Sequence, residues 1–216
     1  MLSVFLLVMA MGGPMENQKP SLARDRGVWL MHLYGDREEM AKQHGELIRD
    51  QMKNSALDYY AHRMERAIDQ SPLVRTAPWL SRISKKIVDF QNFRPLRNSL
   101  SKEDKRVGEV FAKAAGVKER DVFNALVLPD VSQFLLAKAY STLAQSVGAF
   151  GAISGLGCST FIKPSANTPI GQIVARNLDY EGSGIFDENA AVIYYHSSAD
   201  SADQPFLSVT TLGTPL

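Results

Sequence analysis

The chain has 216 residues, of which 45% are hydrophobic and 22% charged, a balance typical of a folded globular protein. This composition excludes disordered and collagen-like chains, and the single cysteine, Cys158, excludes an internal disulfide framework. The formal net charge is +1, so no global field draws the protein to nucleic acid or to an acidic membrane. We therefore expect recognition at a local site, no nucleic-acid partner, and no membrane contact beyond a targeting peptide.

The first 14 residues form an apolar leader that ends in Gly12-Gly13-Pro14. This run is too short to span a bilayer, but its length is typical of the apolar region of a secretory signal peptide. The positively charged start of such a peptide is missing. We expect residues 1–14 to be a signal peptide of a secreted or periplasmic protein. The alternatives are a misplaced start codon or a buried N-terminal segment of a cytoplasmic protein.

Residues 15–147 are predicted to be mainly helical. A short strand precedes the first helix at Val28–Leu33, and Asp36 is its candidate N-cap, with Glu39 three residues later. An apolar stripe at helical spacing then continues to about Asp69, before Pro72. Further helices are predicted at Leu80–Phe93, at Ser101–Ala115 with Ser101 as N-cap, and at Glu119–Val147 with an interruption near Pro129.

The most basic stretch runs from Arg75 to Arg106, where nine Lys and Arg accompany only Asp89, Glu103 and Asp104. Two interpretations are open: a solvated helix face, or a site for an anionic partner. The hydrophobic residues of this stretch repeat at helical spacing, which favours the solvated helix face.

A glycine-rich linker is predicted at residues 148–157, and the pattern after it is that of β-strands. The linker lacks the Gly-Lys-Ser/Thr of a phosphate-binding loop, so a nucleotide site is not expected. Residues 158–216 carry four candidate strands that suggest an antiparallel meander: Cys158–Lys163, Gly171–Leu178, Ala191–Ser197 and Phe206–Leu212. The fold class is therefore predicted to be α+β, with the helices or a further segment covering the apolar face of the sheet.

No metal or cofactor is expected. The four histidines, His32, His44, His62 and His196, share no ligand spacing with one another or with Cys158, so each is interpreted as a surface or hydrogen-bonded core residue.

Cys158 is the candidate nucleophile. Alone it would be interpreted as a small buried hydrophobic residue. However, it lies between Gly157, which permits close approach to its carbonyl, and the hydroxyl residues Ser159 and Thr160, which are possible supporting groups. A hairpin return of the next strand brings Arg176-Asn177-Leu178-Asp179 beside it, because two strands of six to eight residues have similar lengths. The alternative for Arg176 and Asp179 is a surface salt bridge at a strand end.

These motifs resemble the penicillin acyltransferase-like family of autoproteolytic cysteine acyltransferases and hydrolases. The matching segments are Gly157–Phe161 (GCSTF), Ala175–Gly182 (ARNLDYEG), Ile185–Glu188, Pro205–Val209 and, upstream, Tyr34–Glu46. More distantly, they resemble bile-salt hydrolases, penicillin V acylases and acid ceramidase. All are N-terminal nucleophile hydrolases, which implies a four-layer αββα sandwich beginning at Cys158.

The resemblance implies a chemistry. The thiol of Cys158 would cleave the Gly157–Cys158 bond, and the new α-amino group would then serve as the base for that thiol. Arg176 would lower the thiol pKa and hold the substrate, Asp179 would orient the α-amino group, and Asn177 is a possible supporting residue. The substrate class implied is a linear non-peptide N-acyl amide or acyl donor, and the two cleaved chains would remain associated.

One element of the family pattern is expected beyond Leu216. The oxyanion-hole asparagine should follow the strand at Phe206–Leu212 in a Gly-Met-Asn-like segment, so we expect the 216 residues to be a fragment or truncated product, catalytically silent alone. The alternative function is an inactive helical and β interaction protein derived from the same family. A Cys-His thiol protease is disfavoured, because His196 is the only histidine of the β segment.

Overall fold

The computed structural model describes residues 19–131, 157–163, 173–179, 184–198 and 205–213. Within these ranges the fold is α+β, as predicted: a helical layer packs on one face of a four-stranded sheet, and a further two-stranded ladder carries Cys158. The apolar leader at residues 1–14 and the linker up to residue 156 lie outside the described residues. No described helix is long and apolar enough to cross a bilayer.

The N-terminal part opens with a hairpin that leads into the first helix. Strands β1 (Ser21–Asp25) and β2 (Val28–Gly35) are joined by Arg26 and Gly27, both at positive φ, the geometry of a tight two-residue turn. The predicted N-cap of α1 (Arg37–Ile48) is confirmed, since the Asp36 carboxylate accepts a hydrogen bond from the Glu39 N–H at 2.8 Å.

Seven helices are described between residues 19 and 131. They are α1, α2 (Ala56–Gln70), α3 (Pro72–Thr76), α4 (Leu80–Val88), α5 (Arg94–Ser99), α6 (Lys102–Ala115) and α7, which is described over residues 119–131. A 3-10 turn (Arg49–Asn54) separates α1 from α2, and a π-helical turn (Asp89–Phe93) joins α4 to α5. The predicted cap of α6 is confirmed, because Ser101 accepts from the Asp104 N–H at 2.9 Å.

Two helix predictions are wrong in detail. The single long helix expected from Asp36 to Asp69 is broken, because Ser55 has an extended backbone and its hydroxyl donates to the Met52 carbonyl at 2.8 Å. The interruption expected near Pro129 does not occur within the described part of α7, which stays helical to residue 131. Buried Val127, Leu128 and Val131 pack there against Phe93, and this apolar contact offsets the backbone hydrogen bond lost at a proline.

The four-stranded sheet is mixed, with strand order β1-β2-β5-β6, where β5 is Ala190–Ser197 and β6 is Phe206–Thr211. The strand positions were predicted closely, but the antiparallel meander is wrong. β5 pairs in parallel with β2, which lies more than 150 residues earlier in the chain, and antiparallel with β6. The strand that contains Cys158 and the strand that follows it form a separate two-stranded ladder.

The core lies between this sheet and helices α1, α6 and α7. From the sheet it takes alternate residues such as Met31, Leu33 and Ile193, all fully buried, and from the helices Phe111 and Ile48. Gln43 of α1 fastens the helix to β2, accepting from the Tyr34 N–H at 2.9 Å and donating to the Tyr34 carbonyl at 2.8 Å. The end of β2 is thereby held against α1.

Among the described residues, the helices α1, α6 and α7 cover one face of the sheet and leave the other face partly open. His32, Tyr34, Tyr194 and His196 are half-buried on it, and the cross-strand register adds Leu207 and Val209 of β6. Val209 is 79% exposed and Leu207 48%. A second face made of aromatic and apolar side chains is a feature of a sheet that packs between two layers.

Candidate functional site

The ladder that carries the candidate nucleophile consists of β3 (Gly157–Lys163) and β4 (Ile173–Asp179), paired antiparallel. Its register joins Gly157 to Asp179 and Cys158 to Leu178 as Cα partners. The hairpin return predicted from strand lengths is therefore confirmed for the backbone. Facing Cα atoms in an antiparallel pair are about 4.5 to 5.5 Å apart, so Asp179 flanks the Gly157–Cys158 peptide bond.

The other candidate positions follow in the same register. Thr160 faces Arg176 and Ser159 faces Asn177. Residues that face each other share a side of the ladder, and sides alternate along each strand. Cys158 and Arg176 thus occupy positions on the same side of the ladder, where they are diagonal neighbours, because Arg176 is two residues from Leu178, the partner of Cys158. Asp179 occupies a position on the other side, opposite Gly157.

The proposed cleavage site lies at one end of this ladder. Gly157 and Cys158 begin β3 and Asp179 ends β4, so all three positions are at one end of the hairpin. If the Gly157–Cys158 bond is cut, the free nitrogen of Cys158 becomes a chain terminus adjacent to the Asp179 position. A carboxylate beside a chain terminus favours the protonated form of the amine.

A second group of polar residues was missed at the sequence level. On the open face of the sheet, Nδ1 of His32 lies 3.1 Å from Nε2 of His196. The His32 ring stacks on Tyr194 with centroids 4.5 Å apart, and the His196 ring stacks on Tyr34 at 4.4 Å. We call His32, Tyr34, Tyr194 and His196 the His/Tyr array.

The parallel register of β2 and β5 creates the array by placing Tyr34 opposite His196 and His32 opposite Tyr194. Burial lowers the pKa of His32, and burial followed by the charge of His32 lowers the pKa of His196. A signal for the array does exist in the sequence, since each strand carries one histidine and one tyrosine two residues apart. The two histidines are 164 residues apart, so ligand spacing along the chain could not reveal the pair.

The remaining histidines do not join either group. His44 is fully buried beside Phe111, and neither of its ring nitrogens has a hydrogen-bond partner, so the expected hydrogen-bonded core histidine is wrong in this respect. Burial lowers its pKa to about 4. His62 is half-exposed, with its nearest carboxylate, that of Asp58, at 3.7 Å. Among the described residues no group of three or more His, Cys, Asp or Glu could hold a metal ion.

The chain was compared with protein families, curated sequences and solved structures. No protein-family model, no curated protein sequence and no solved structure matches the chain.

Proposed function

We propose that the protein is an autoproteolytic cysteine N-terminal nucleophile hydrolase or acyltransferase that acts on a linear N-acyl amide. The observation that supports this most is the register of β3 and β4, which aligns Gly157 with Asp179 at the end of the ladder. Cys158 and Asp179 are 21 positions apart in sequence, yet they lie at the same end of one ladder, and Arg176 lies in the middle of β4 on the side of Cys158.

The first step is self-cleavage. The Cys158 sulfur attacks the Gly157 carbonyl carbon, the C–N bond breaks, and the nitrogen leaves as the α-amino group with the thiol proton. Water then hydrolyses the resulting thioester, which releases a Gly157 carboxylate and regenerates the thiol.

The second step is turnover. The α-amino group, with an unperturbed pKa of about 7.7 to 8.0, takes the thiol proton, and the thiolate attacks the substrate carbonyl. The amine product leaves with that proton, and the acyl group stays on sulfur as a thioester. Water or an acceptor amine then removes the acyl group, which distinguishes hydrolase from acyltransferase. Arg176 would favour the thiolate and bind an anionic part of the substrate.

The four-stranded sheet supports the αββα part of the proposal. One of its faces packs on α1 and α6, and the other presents the His/Tyr array together with Leu207 and Val209. An αββα sandwich needs such a sheet, with helices on one side and a second sheet on the other. We propose that the β3–β4 ladder belongs to that second sheet.

Self-cleavage gives the direct test. Intact-mass analysis of the protein expressed from its complete reading frame should show two chains, with the second beginning at Cys158. Cys158→Ala should leave a single chain, whereas the control Lys163→Ala, at the other end of β3, should still be cleaved. A wild-type protein that stays intact, or cleavage that persists in Cys158→Ala, would show that the proposal is wrong.

A further inference from the structure

The basic stretch forms the helix that its periodicity predicts, but the apolar side of this helix is not covered by the described residues. Its helix α4 buries none of its residues, and large apolar side chains lie in the solvent instead of in the core. The exposed fraction is 68% for Trp79, 46% for Ile83, 48% for Ile87 and 63% for Phe90. These four residues are called the α4 stripe below.

The α4 stripe is continuous along one side of the helix. Trp79, Ile83 and Ile87 recur every four residues and Phe90 follows three later, which is the spacing of one helical face. At 1.5 Å per residue the stripe is about 16 Å long. Leu73, 64% exposed, extends the apolar surface at α3. A run of large side chains of this kind is unusual on a surface that contacts only water.

Basic side chains surround the α4 stripe. Arg82 and Lys86 lie three residues after Trp79 and Ile83, beside the stripe, and Arg94 places its guanidinium 5.6 Å from the centre of the Phe90 ring. These three residues and Arg75 are exposed, and none of the four lies within 4.0 Å of a described carboxylate, although Arg94 contributes at longer range to lowering the pKa of Asp89.

Acidic residues are nearly absent around the stripe. Between residues 70 and 102 the sequence contains one acidic residue, Asp89. Its carboxylate is 2.8 Å from Arg97, and Asp69 is 2.6 Å from Lys85, so both are neutralised by other cations. The stripe is thus an apolar surface beside an excess of positive charge.

We infer that this side of α4 is a docking surface for a membrane that contains anionic lipid. An interfacial helix needs Trp, Phe and aliphatic residues on one side and Lys or Arg beside them, and α4 has both. The apolar side chains enter the boundary between headgroups and acyl chains, while Arg75, Arg82, Lys86 and Arg94 contact the lipid phosphates. The net charge of +1 led to the expectation of no membrane contact beyond a targeting peptide, but the net charge does not show that basic residues are concentrated at α4. The inference does not depend on the proposed catalytic function.

Trp79 provides a reporter for the test. The chain has two tryptophans, so Trp29→Phe leaves Trp79 as the only one. With vesicles of phosphatidylcholine containing about 30 mol% phosphatidylglycerol, the emission of Trp79 should shift to shorter wavelength and the protein should sediment with the vesicles. Vesicles of phosphatidylcholine alone should give weak binding, and added salt should reverse the binding to the anionic ones.

Variants separate the apolar from the charged contribution. Ile83→Asn with Ile87→Asn should abolish sedimentation, and a thermal transition close to that of the parent protein would show that the fold is intact. Arg82→Gln with Lys86→Gln should weaken binding by roughly tenfold to thirtyfold. The matched control is Lys42→Gln with Lys113→Gln, two exposed lysines on α1 and α6, which should change binding little.

Several results would overturn the inference. They are absence of binding to the anionic vesicles, equal binding to both vesicle types, and binding that survives the Ile83→Asn and Ile87→Asn pair. A dimer that forms without lipid and is lost in that pair, with no vesicle binding, would instead assign the surface to a second copy of the chain.

Discussion

Gly45 of α1 lies so close to Ala114 of α6 that a methyl group on Gly45 would be 2.8 Å from the Ala114 Cβ. It would lie equally close to the Phe111 carbonyl oxygen and the Ala115 nitrogen. Two of these three contacts are with backbone atoms of α6, which cannot rotate away. Gly45 therefore sets the distance between the two helices that cover the sheet.

Gly45→Ala should lower the free energy of unfolding by about 1 to 3 kcal/mol, because overpacking exceeds the gain of about 1 kcal/mol in helix propensity. Gly108→Ala is the comparison: its new methyl group would come within 2.5 Å of the Phe123 ring, but the three nearest atoms all belong to that side chain, which can move, so the loss of stability should be smaller. The measurement is denaturant unfolding at equilibrium. A Gly45→Ala protein as stable as the parent would show that the helices can separate without cost.

His44 should make the protein less stable in acid. Its pKa is about 4 in the folded protein and about 6.5 when unfolded, so the unfolded state binds the proton first as the pH falls. Stability is full above pH 6.5 and decreases between pH 6.5 and 4, by about 3 kcal/mol in total from this group.

His44→Leu should remove that pH dependence and, by eliminating two unpaired buried nitrogens, raise stability at neutral pH by about 1 kcal/mol or more. Denaturant unfolding at several pH values measures both effects. The control is His62→Gln, which removes a half-exposed histidine. An unchanged slope between pH 4 and 6.5 in His44→Leu would contradict this account.

The His/Tyr array should respond to pH in the same direction. The pKa values of His32 and His196 are both lowered, so the folded array binds protons less readily than the unfolded chain, and its contribution to stability is lost as the pH falls below the ordinary histidine value. Two protonated rings at 3.1 Å would place two N–H groups against each other. His32→Gln should therefore raise the pKa of His196, as measured by NMR titration, because the charge of His32 is one of the two causes that lower it. A His196 pKa that stays the same or falls would show that the two rings do not interact.

Arg176 and Asp179 should matter for chemistry more than for folding. In protein expressed from the complete reading frame, Asp179→Ala and Arg176→Ala should each lower kcat/KM for a chromogenic N-acyl amide by more than about a hundredfold. Stability should change by less than about 1 kcal/mol, because Asp179 ends β4 and Arg176 contributes a single polar side chain to a two-stranded ladder. Lys163→Ala, at the opposite end of the ladder, should retain activity. Near-parental kcat/KM in the two variants would leave both residues with a structural role only.

Local features of the fold were predictable from the sequence, and pairings between distant segments were not. The caps at Asp36 and Ser101 and the bounds of β3 to β6 depend on residues within a few positions of one another. The break at Ser55 carries no glycine or proline, and the apolar stripe continues across it, so periodicity alone predicts one helix.

The candidate site shows the same division. The β3–β4 pairing could be anticipated because two strands of similar length follow each other directly in the chain. The His32–His196 contact could not, because it requires β2 to pair in parallel with β5, and nothing near either strand specifies that partner. The exposure of the α4 stripe was missed because helical spacing identifies an apolar face but does not identify what covers it.

The position of β2 inside the sheet affects how the protein would refold after cleavage. β2 lies between β1 and β5, faces β5 at seven residue pairs, and contributes Met31 and Leu33 to the core, yet it precedes Cys158 in the chain. If the Gly157–Cys158 bond is cut, β2 and β5 belong to different polypeptides that are still joined by one ladder of hydrogen bonds. The intact chain folds in a unimolecular reaction, whereas the cut protein, once unfolded, must find its other half in solution. Its recovery from denaturation would then depend on concentration, and the uncut precursor would be the form in which the fold is acquired.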